Sequence, residues 1–350
     1  MKFLRYKQYM IGLLALSLFA SCDFEKINTN EFEMLPEEGK MDGISVGGPI
    51  TALQKCVVPV GTQDDGTNVA NEYQVAYHLA ADCWSGYFAQ NNNWNSGRNN
   101  LTYFLMDGWV SASYTSAYTK VIPLWQDIKI KTEKDFPEAY ALAQILKVST
   151  WHKATDMFGP IPYKEAGKGL ISVPYDSQAD VYKCMFEDLT NAIGVLTNAL
   201  EHGTTKLLPN ADAVYGGNVK KWIVYANSLM LRLAMRVYYA DEAMSKKYVL
   251  QAVNNPYGVM QSKDDEAKME KGAGLTFINN LEILSNQYNE CRMGSSMQAY
   301  LGGYEDPRLP KYFTESEAYY AKKVGQYGSY MAVPTGNIAS QNDVFKMASR

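Results

Sequence analysis

The chain has 350 residues, of which 47% are hydrophobic and 20% are charged, a globular composition that excludes a disordered chain. The formal net charge of −4 argues against a nucleic-acid partner, because a protein that binds the phosphate backbone needs a basic surface. Only three histidines are present, which argues against a His-rich metal site, and we expect no cofactor. The 26 tyrosines outnumber Phe and Trp together and indicate contact surface as well as core.

The N-terminus predicts a lipoprotein signal peptide over residues 1–21. A basic start precedes an apolar run, residues 10–20, that is too short to cross a bilayer as a helix. The run ends Leu18-Phe19-Ala20-Ser21-Cys22, which resembles a bacterial lipobox with Phe19 where Leu is usual. An ordinary cleaved signal followed by an incidental cysteine is the alternative.

Cleavage before Cys22 would leave that residue to carry palmitate and other acyl chains, which anchor a protein without a membrane-spanning helix. Residues 22–42 are then the anchor and a polar tether, and 43–350 form a helical domain. The other cysteines form no CxxC pair, and buried free thiols are the favoured reading, although pairing stays open. They are Cys56, Cys83, Cys184 and Cys291.

The first part of the domain reads as helix. A stripe of apolar residues that includes Trp84 and Phe88 predicts a helix over Val69–Gln90. A second stripe covers Trp109–Thr132, where Pro123 predicts a kink or a break.

Four further helices have clear start or stop signals. Pro137 opens a helix that runs to about Phe158, and Asp176 or Ser177 caps the next, which ends at Gly203. Asn218 and Asp241 cap the last two helices. The alternation of apolar and polar residues that is typical of strands is rare. Successive helices with short turns predict an all-α chain of helix pairs without a clean repeat period.

Three stretches do not read as helix: residues 46–69, residues 90–107 and the chain from Gly258 onward. Scaffolds commonly carry binding groups on such insertions. Residues 336–350 show no capping helix and no hydrophobic closure.

Motifs of catalysis and metal binding are weak. Gly43-Ile44-Ser45-Val46-Gly47 matches GxSxG, but no strand precedes it, so we interpret it as a chance match. His152 and Asp156 share a helix face, yet zinc needs at least three protein ligands, so a hydrogen-bonded structural histidine is favoured. We therefore expect a non-enzyme; a hydrolase would lack a nucleophile, base and metal set.

The loop around Trp94 is the most informative element, with six asparagines between positions 91 and 100. Each amide offers donors and an acceptor, which match sugar hydroxyls, and an indole face can lie on a pyranose ring. We predict ligand binding by Trp94, Asn92, Asn95 and Arg98. The alternative is a polar loop with Trp94 folded into the core.

Several segments resemble the SusD/RagB family, SusD-like nutrient-binding outer-membrane lipoproteins of Bacteroidetes. They share their order along the chain with that family and follow a lipobox. They are Cys22–Asn30, Trp151–Tyr163, Lys221–Arg236 and Asp306-Pro307-Arg308.

This resemblance implies an α-superhelix of degenerate tetratricopeptide-type pairs with a loop-rich insertion. It implies a lipid-anchored protein at the outer membrane, facing the cell surface, that takes up nutrients by binding oligosaccharides or, in some members, peptides. It implies a SusC-like TonB-dependent transporter as partner. Members run further than Arg350, so we expect a C-terminally truncated chain. The alternative function is a helical-repeat lipoprotein that binds peptides or a protein partner.

Overall fold

The computed structural model describes residues 44–58, 72–82, 84–269, 271–272, 275–276, 279–317 and 329–350. Residues from Val46 onward form one compact unit. The predicted signal peptide, Cys22 and the tether lie outside the described residues, as does Cys83, and these remain predictions. Cys56, Cys184 and Cys291 are free thiols.

Helices dominate the described residues and confirm the predicted all-α class. The longer ones are α1 (Ile44–Val57), α2 (Asp107–Thr119), α3 (Val121–Thr132), α4 (Pro137–Phe158), α5 (Gln178–Glu201), α6 (Val219–Arg236) and α7 (Glu242–Val253). A π-helical segment, Gln74–Asp82, precedes α2. The expectation that residues 46–69 are not helical is wrong for its first part, because α1 extends to Val57 with Pro49 inside it.

Side-chain caps set the starts of three helices at the residues that the sequence predicts. The Ser177 hydroxyl accepts from Asp180 N at 3.1 Å, which caps α5. Asn218 and Asp241 cap α6 and α7 in the same way. These side chains satisfy backbone N–H groups that have no partner within the first helical turn. The predicted break near Pro123 is also confirmed, since α2 ends at Thr119 and α3 begins at Val121.

Consecutive helices from α3 to α7 pack against one another and bury one large apolar core. Trp151 and Trp222 are among its largest fully buried side chains. The helices thus form the predicted pairs, because each buries an apolar stripe against its neighbours in sequence. Within the described ranges, no helix is both long and apolar enough to cross a bilayer.

Buried charges join the helices at two points. The Lys147 ammonium lies 2.9 Å from the Asp188 carboxylate and 4.4 Å from the Trp125 ring centre, which links α3, α4 and α5. Asp212 accepts from Trp222 Nε1 at 2.7 Å and from backbone N–H groups of its own loop. Such charges persist in a core only when their hydrogen bonds are satisfied.

The predicted helix over Val69–Gln90 is wrong in its second half. Helical backbone ends at Asp82, a turn follows, and Phe88–Gln90 is a strand, β1. Its antiparallel partner is β4, Cys291–Met293, with Phe88 opposite Met293. Because that partner lies about two hundred residues away, local periodicity carries no signal for it.

The remaining elements are short. A second antiparallel pair joins β2 (Lys271–Gly272) to β3 (Leu275–Thr276). The short helices are Trp94–Gly97, Asn100–Thr102, Lys263–Asp265, Asn280–Glu282, Ile283–Gln287, Ser295–Met297, Gln298–Gly302, Leu309–Tyr312, Ala339–Gln341 and Phe345–Met347.

The segment 329–350 is tied to the β1–β4 pair, which corrects the expectation that its end has no hydrophobic closure. Met293 N donates to Ser349 O at 2.7 Å, and Val333 N donates to Met293 O at 2.9 Å. Ala339 and Ala348 are buried in a small cluster with Ala89. Small apolar side chains suffice here because the segment packs closely against a strand.

Candidate ligand-binding site

The asparagine-rich loop joins β1 to α2 and is built from two short 3₁₀ helices, Trp94–Gly97 and Asn100–Thr102. Asn95 and Ser96 take left-handed backbone angles, which asparagine tolerates better than most residues. Asn99 and Thr102 form a reciprocal capping box at the second short helix. The loop therefore has a defined conformation that its own sequence specifies.

All six asparagines of the loop use their side chains to hold it. Asn99 Nδ2 donates to Trp94 O at 2.8 Å, and Asn100 bridges Leu79 O and Met106 N. The other four bond to Asn289 O, Glu290, Gln341 and Arg98 O; they are Asn91, Asn92, Asn93 and Asn95. Their first role is structural, and at Asn99 and Asn100 it is required, because these two side chains are buried and buried polar groups need partners.

The predicted ligand residues lie on this loop but face different neighbours. The Trp94 ring is half-buried and packs edge-to-face on Trp109, with ring centres 5.7 Å apart. Arg98 is exposed, and its guanidinium lies 4.9 Å from the centre of the Phe104 ring. Trp94 is thus neither fully buried nor isolated, and it shares the loop surface with further aromatic rings.

Asn92 and Asn95 differ in what they can offer a ligand. Asn92 Nδ2 donates to the half-buried carboxylate of Glu290 at 2.8 Å. Asn95 is exposed, but its Nδ2 donates to Arg98 O and lies 3.4 Å from Met106 Sδ. An amide nitrogen has two hydrogens, so at Asn95 the carbonyl oxygen is the atom that suits a sugar hydroxyl.

The sequence-based selection missed three exposed aromatic side chains beside the loop. Trp84 and Tyr103 are 41% and 62% exposed, and their rings meet edge-to-face with centres 5.4 Å apart. Phe104 is 42% exposed. The sequence places Trp84 in the apolar stripe of a helix, but that helix ends at Asp82. Tyr103 and Phe104 carry a usable signal, namely aromatic residues within a polar loop.

Beneath the loop, the π-helical segment meets β4 through a buried polar group. His78 Nδ1 lies 3.1 Å from Asp82 Oδ2, and His78 Nε2 lies 3.2 Å from the Cys291 sulfur. Burial disfavours the imidazolium, but Cys291 and Asp82 outweigh it and raise the pKa of His78 to about 9. Both His78 and Cys291 are fully enclosed, so this arrangement supports the loop and does not face a substrate.

The histidine of the weak metal motif is structural, as the sequence indicates. His152 is buried, and its Nδ1 lies 3.1 Å from Val148 O. Asp156 accepts from the Tyr182 hydroxyl at 2.5 Å and pairs with Arg236 at 2.6 Å. Across the residues that the structure describes, no cluster of His, Cys, Asp and Glu is suited to a metal ion.

The GxSxG match also has no nucleophile-elbow geometry. Ser45 lies within α1, whereas the elbow needs a sharp turn between a strand and a helix. What the loop presents instead is a set of partly exposed aromatic rings on a braced backbone, with amide and guanidinium groups between them. Aromatic faces and hydrogen-bonding groups in this combination have the chemistry that a ring-shaped polar ligand needs for stacking and hydrogen bonds.

Comparison with protein families gives one match over most of the chain. A SusD-like family model, described as Susd and RagB outer membrane lipoprotein, matches residues 26–350. No curated protein sequence matches the chain.

Several solved structures are similar to this one. A chitin-binding SusD homolog from Flavobacterium johnsoniae is 32% identical with a TM-score of 0.78, and the match covers 87% of this chain and 60% of that chain. A SusD homolog from Bacteroides vulgatus is 26% identical with a TM-score of 0.78, over 89% of this chain and 61% of that chain. A SusD homolog from Bacteroides uniformis is 29% identical with a TM-score of 0.74, over 87% and 60%. The chain spans about three-fifths of the length of these relatives.

Proposed function

Because the chain belongs to the SusD-like family of Susd and RagB outer membrane lipoproteins, we propose that it captures oligosaccharides at the cell surface and passes them to a SusC-like TonB-dependent transporter. It acts by binding and does not transform its ligand. A lipid on Cys22 holds it at the membrane.

The exposed rings around the asparagine-rich loop are the observation that carries this proposal. Exposed Trp, Tyr and Phe rings gain free energy of burial when a ligand covers them. Trp94, Tyr103 and Phe104 lie on the braced loop, and Trp84 packs against Tyr103 from the turn before β1. Their faces suit the C–H face of a pyranose ring. A likeness to a chitin-binding homolog supports a saccharide as the ligand class.

The proposed binding residues are Trp94, Asn92, Asn95 and Arg98, with Trp84 and Tyr103 as additional stacking surface. Trp94 is the platform. Arg98 and the Asn95 oxygen contact hydroxyls, and Asn92 acts mainly through Glu290, which it holds at the base of the loop. Loops held in one conformation bind more tightly because less entropy is lost on binding.

Calorimetric titration with chito-oligosaccharides tests the assignment. Trp94→Ala removes the platform, and we expect the dissociation constant to rise about tenfold, or about 1.4 kcal/mol. Tyr239→Ala is the matched control, because that ring is 98% exposed in the turn after α6 and far in sequence from the loop. Unchanged affinity in a folded Trp94→Ala protein would refute the assignment of Trp94.

Docking on the transporter is tested separately. Co-expression with the SusC-like protein encoded nearest in the genome, followed by affinity purification in detergent, should recover a stable complex. Recovery of the lipoprotein alone, under conditions where both proteins are folded, would contradict the proposed partner.

A further inference from the structure

A cavity separate from the asparagine-rich loop opens between β1, the segment 279–286 and the segment 310–314. Its volume is about 660 Å³, within the range of ordinary small-ligand pockets. None of the predicted ligand residues lines it.

Aromatic rings form the floor and the rim of this cavity. Phe88 and Phe313 pack with ring centres 6.1 Å apart, and Phe313 is buried. Tyr87 and Tyr312 are 54% and 55% exposed. A rim of half-exposed tyrosines above an apolar floor matches an amphipathic ring, because each tyrosine offers both a ring face and a hydroxyl.

The polar groups of the cavity are balanced in charge. Lys311 and Arg350 bring positive charge, while Glu282 lines the cavity and Glu317 pairs with the Arg350 guanidinium. Asn286 adds an amide to the lining. A charged ligand would meet as much repulsion as attraction here, whereas hydroxyl groups can bond to either sign of charge.

The Arg350 wall of the cavity is held in place by backbone contacts. Thr314 N donates to Arg350 O at 2.9 Å, and Arg350 N lies 3.3 Å from Thr314 Oγ1. The segment that carries Tyr312 is therefore linked to the segment that carries Arg350. A pocket with fixed walls loses little entropy on ligand binding.

We propose that this cavity is a second sugar-binding site, which takes a short neutral saccharide between Tyr87 and Tyr312. The inference rests on the proposed function for its ligand class, but on different residues for its evidence. The chain would then bind two short saccharides, one at Trp94 and one at Tyr312, with independent affinities.

Calorimetry with neutral trisaccharides (chitotriose, cellotriose, maltotriose and mannotriose) tests the site on the full chain. For the trisaccharide that binds, we expect two sites per chain. Tyr312→Ala should weaken one of them at least tenfold and leave the other unchanged, and Tyr87→Ala should do the same. Trp94→Ala should affect only the other site.

Tyr304→Ala is the matched control, since Tyr304 is 80% exposed on the neighbouring segment and does not line the cavity. Melting temperatures show whether each variant folds. A single site abolished by Trp94→Ala and untouched by both tyrosine variants would overturn this inference and leave the proposed function intact. A single site lost only in the tyrosine variants would place saccharide binding in this cavity and refute the assignment of Trp94. If none of the trisaccharides binds, this inference is overturned as well.

Discussion

His152 illustrates how a single residue can be interpreted from its sequence position and then given a measurable role. Its position within a long apolar helix favours a structural histidine, and burial with a backbone partner confirms that reading. Burial lowers the pKa of His152 to about 4, despite the bond to Val148 O, because the charged imidazolium loses its hydration.

Acid should therefore destabilise the fold through this residue. The folded-state pKa lies below the ordinary value of about 6.5, so between pH 6.5 and pH 4 the unfolded chain takes up a proton that the folded chain refuses. The contribution of His152 to the free energy of unfolding is fully present above pH 6.5 and falls by about 3 kcal/mol as the pH drops to 4.

Urea unfolding of His152→Gln across this pH range measures the effect. The variant should be less stable than the wild type at pH 7, and the difference should shrink as the pH falls. His202→Gln, at an exposed position, is the control for the effect of the substitution itself and is unfolded in the same way. Parallel curves for His152→Gln and wild type would contradict the argument.

At the same scale, the surroundings of the proposed ligand residues were only partly predictable. The sequence identifies the asparagine-rich loop and Trp94, because amides and indoles carry recognisable chemistry. It does not show that the Asn92 amide bonds to Glu290, since that contact joins residues about two hundred positions apart. Trp84 was missed because helical periodicity continues in the sequence beyond the residue where the helix ends.

Among the elements, helices with side-chain caps were predicted nearly to the residue. Ser177, Asn218 and Asp241 each supply a cap, and Pro137 occupies the first helical position of α4. Such signals are local, so the sequence alone carries them. The β1–β4 pair and the burial of segment 329–350 depend on contacts between distant segments, and local patterns do not encode them.

The asparagine-rich loop depends on Asn100 in particular. This side chain is 1% exposed, donates to Leu79 O at 3.1 Å and accepts from Met106 N at 2.8 Å. Asn100→Leu keeps a similar volume but removes the partner of the buried Leu79 O and of the half-buried Met106 N, at a cost of about 1–3 kcal/mol for the buried group.

We expect Asn100→Leu to speed amide hydrogen exchange across residues 91–107 by tenfold or more, while exchange in α5 stays at wild-type rates. Saccharide affinity should fall although Asn100 touches no ligand. Asn191→Leu, on the exposed side of α5, is the control and should leave the loop unchanged. Wild-type exchange in the loop of Asn100→Leu would show that other contacts hold it.

For the whole molecule, family membership and helix pairing agree with the sequence reading. The chain matches a SusD-like family model over residues 26–350 and spans about three-fifths of the length of its solved relatives. The proposal that the ligand is a saccharide rests on the chemistry of the loop and on the family together, because the fold by itself does not specify a ligand.

The central claim is that this chain binds saccharides, and a thermal melt tests it most directly. The domain from residue 43 onward is melted alone and with a panel of neutral oligosaccharides and of peptides. A ligand that binds only the folded state raises the melting temperature, and the rise grows with the logarithm of the ligand concentration over its dissociation constant. We predict a cooperative melt that one class of oligosaccharide shifts upward and that peptides leave unchanged. A shift caused by peptides alone, or a cooperative melt that no oligosaccharide moves, would contradict the account.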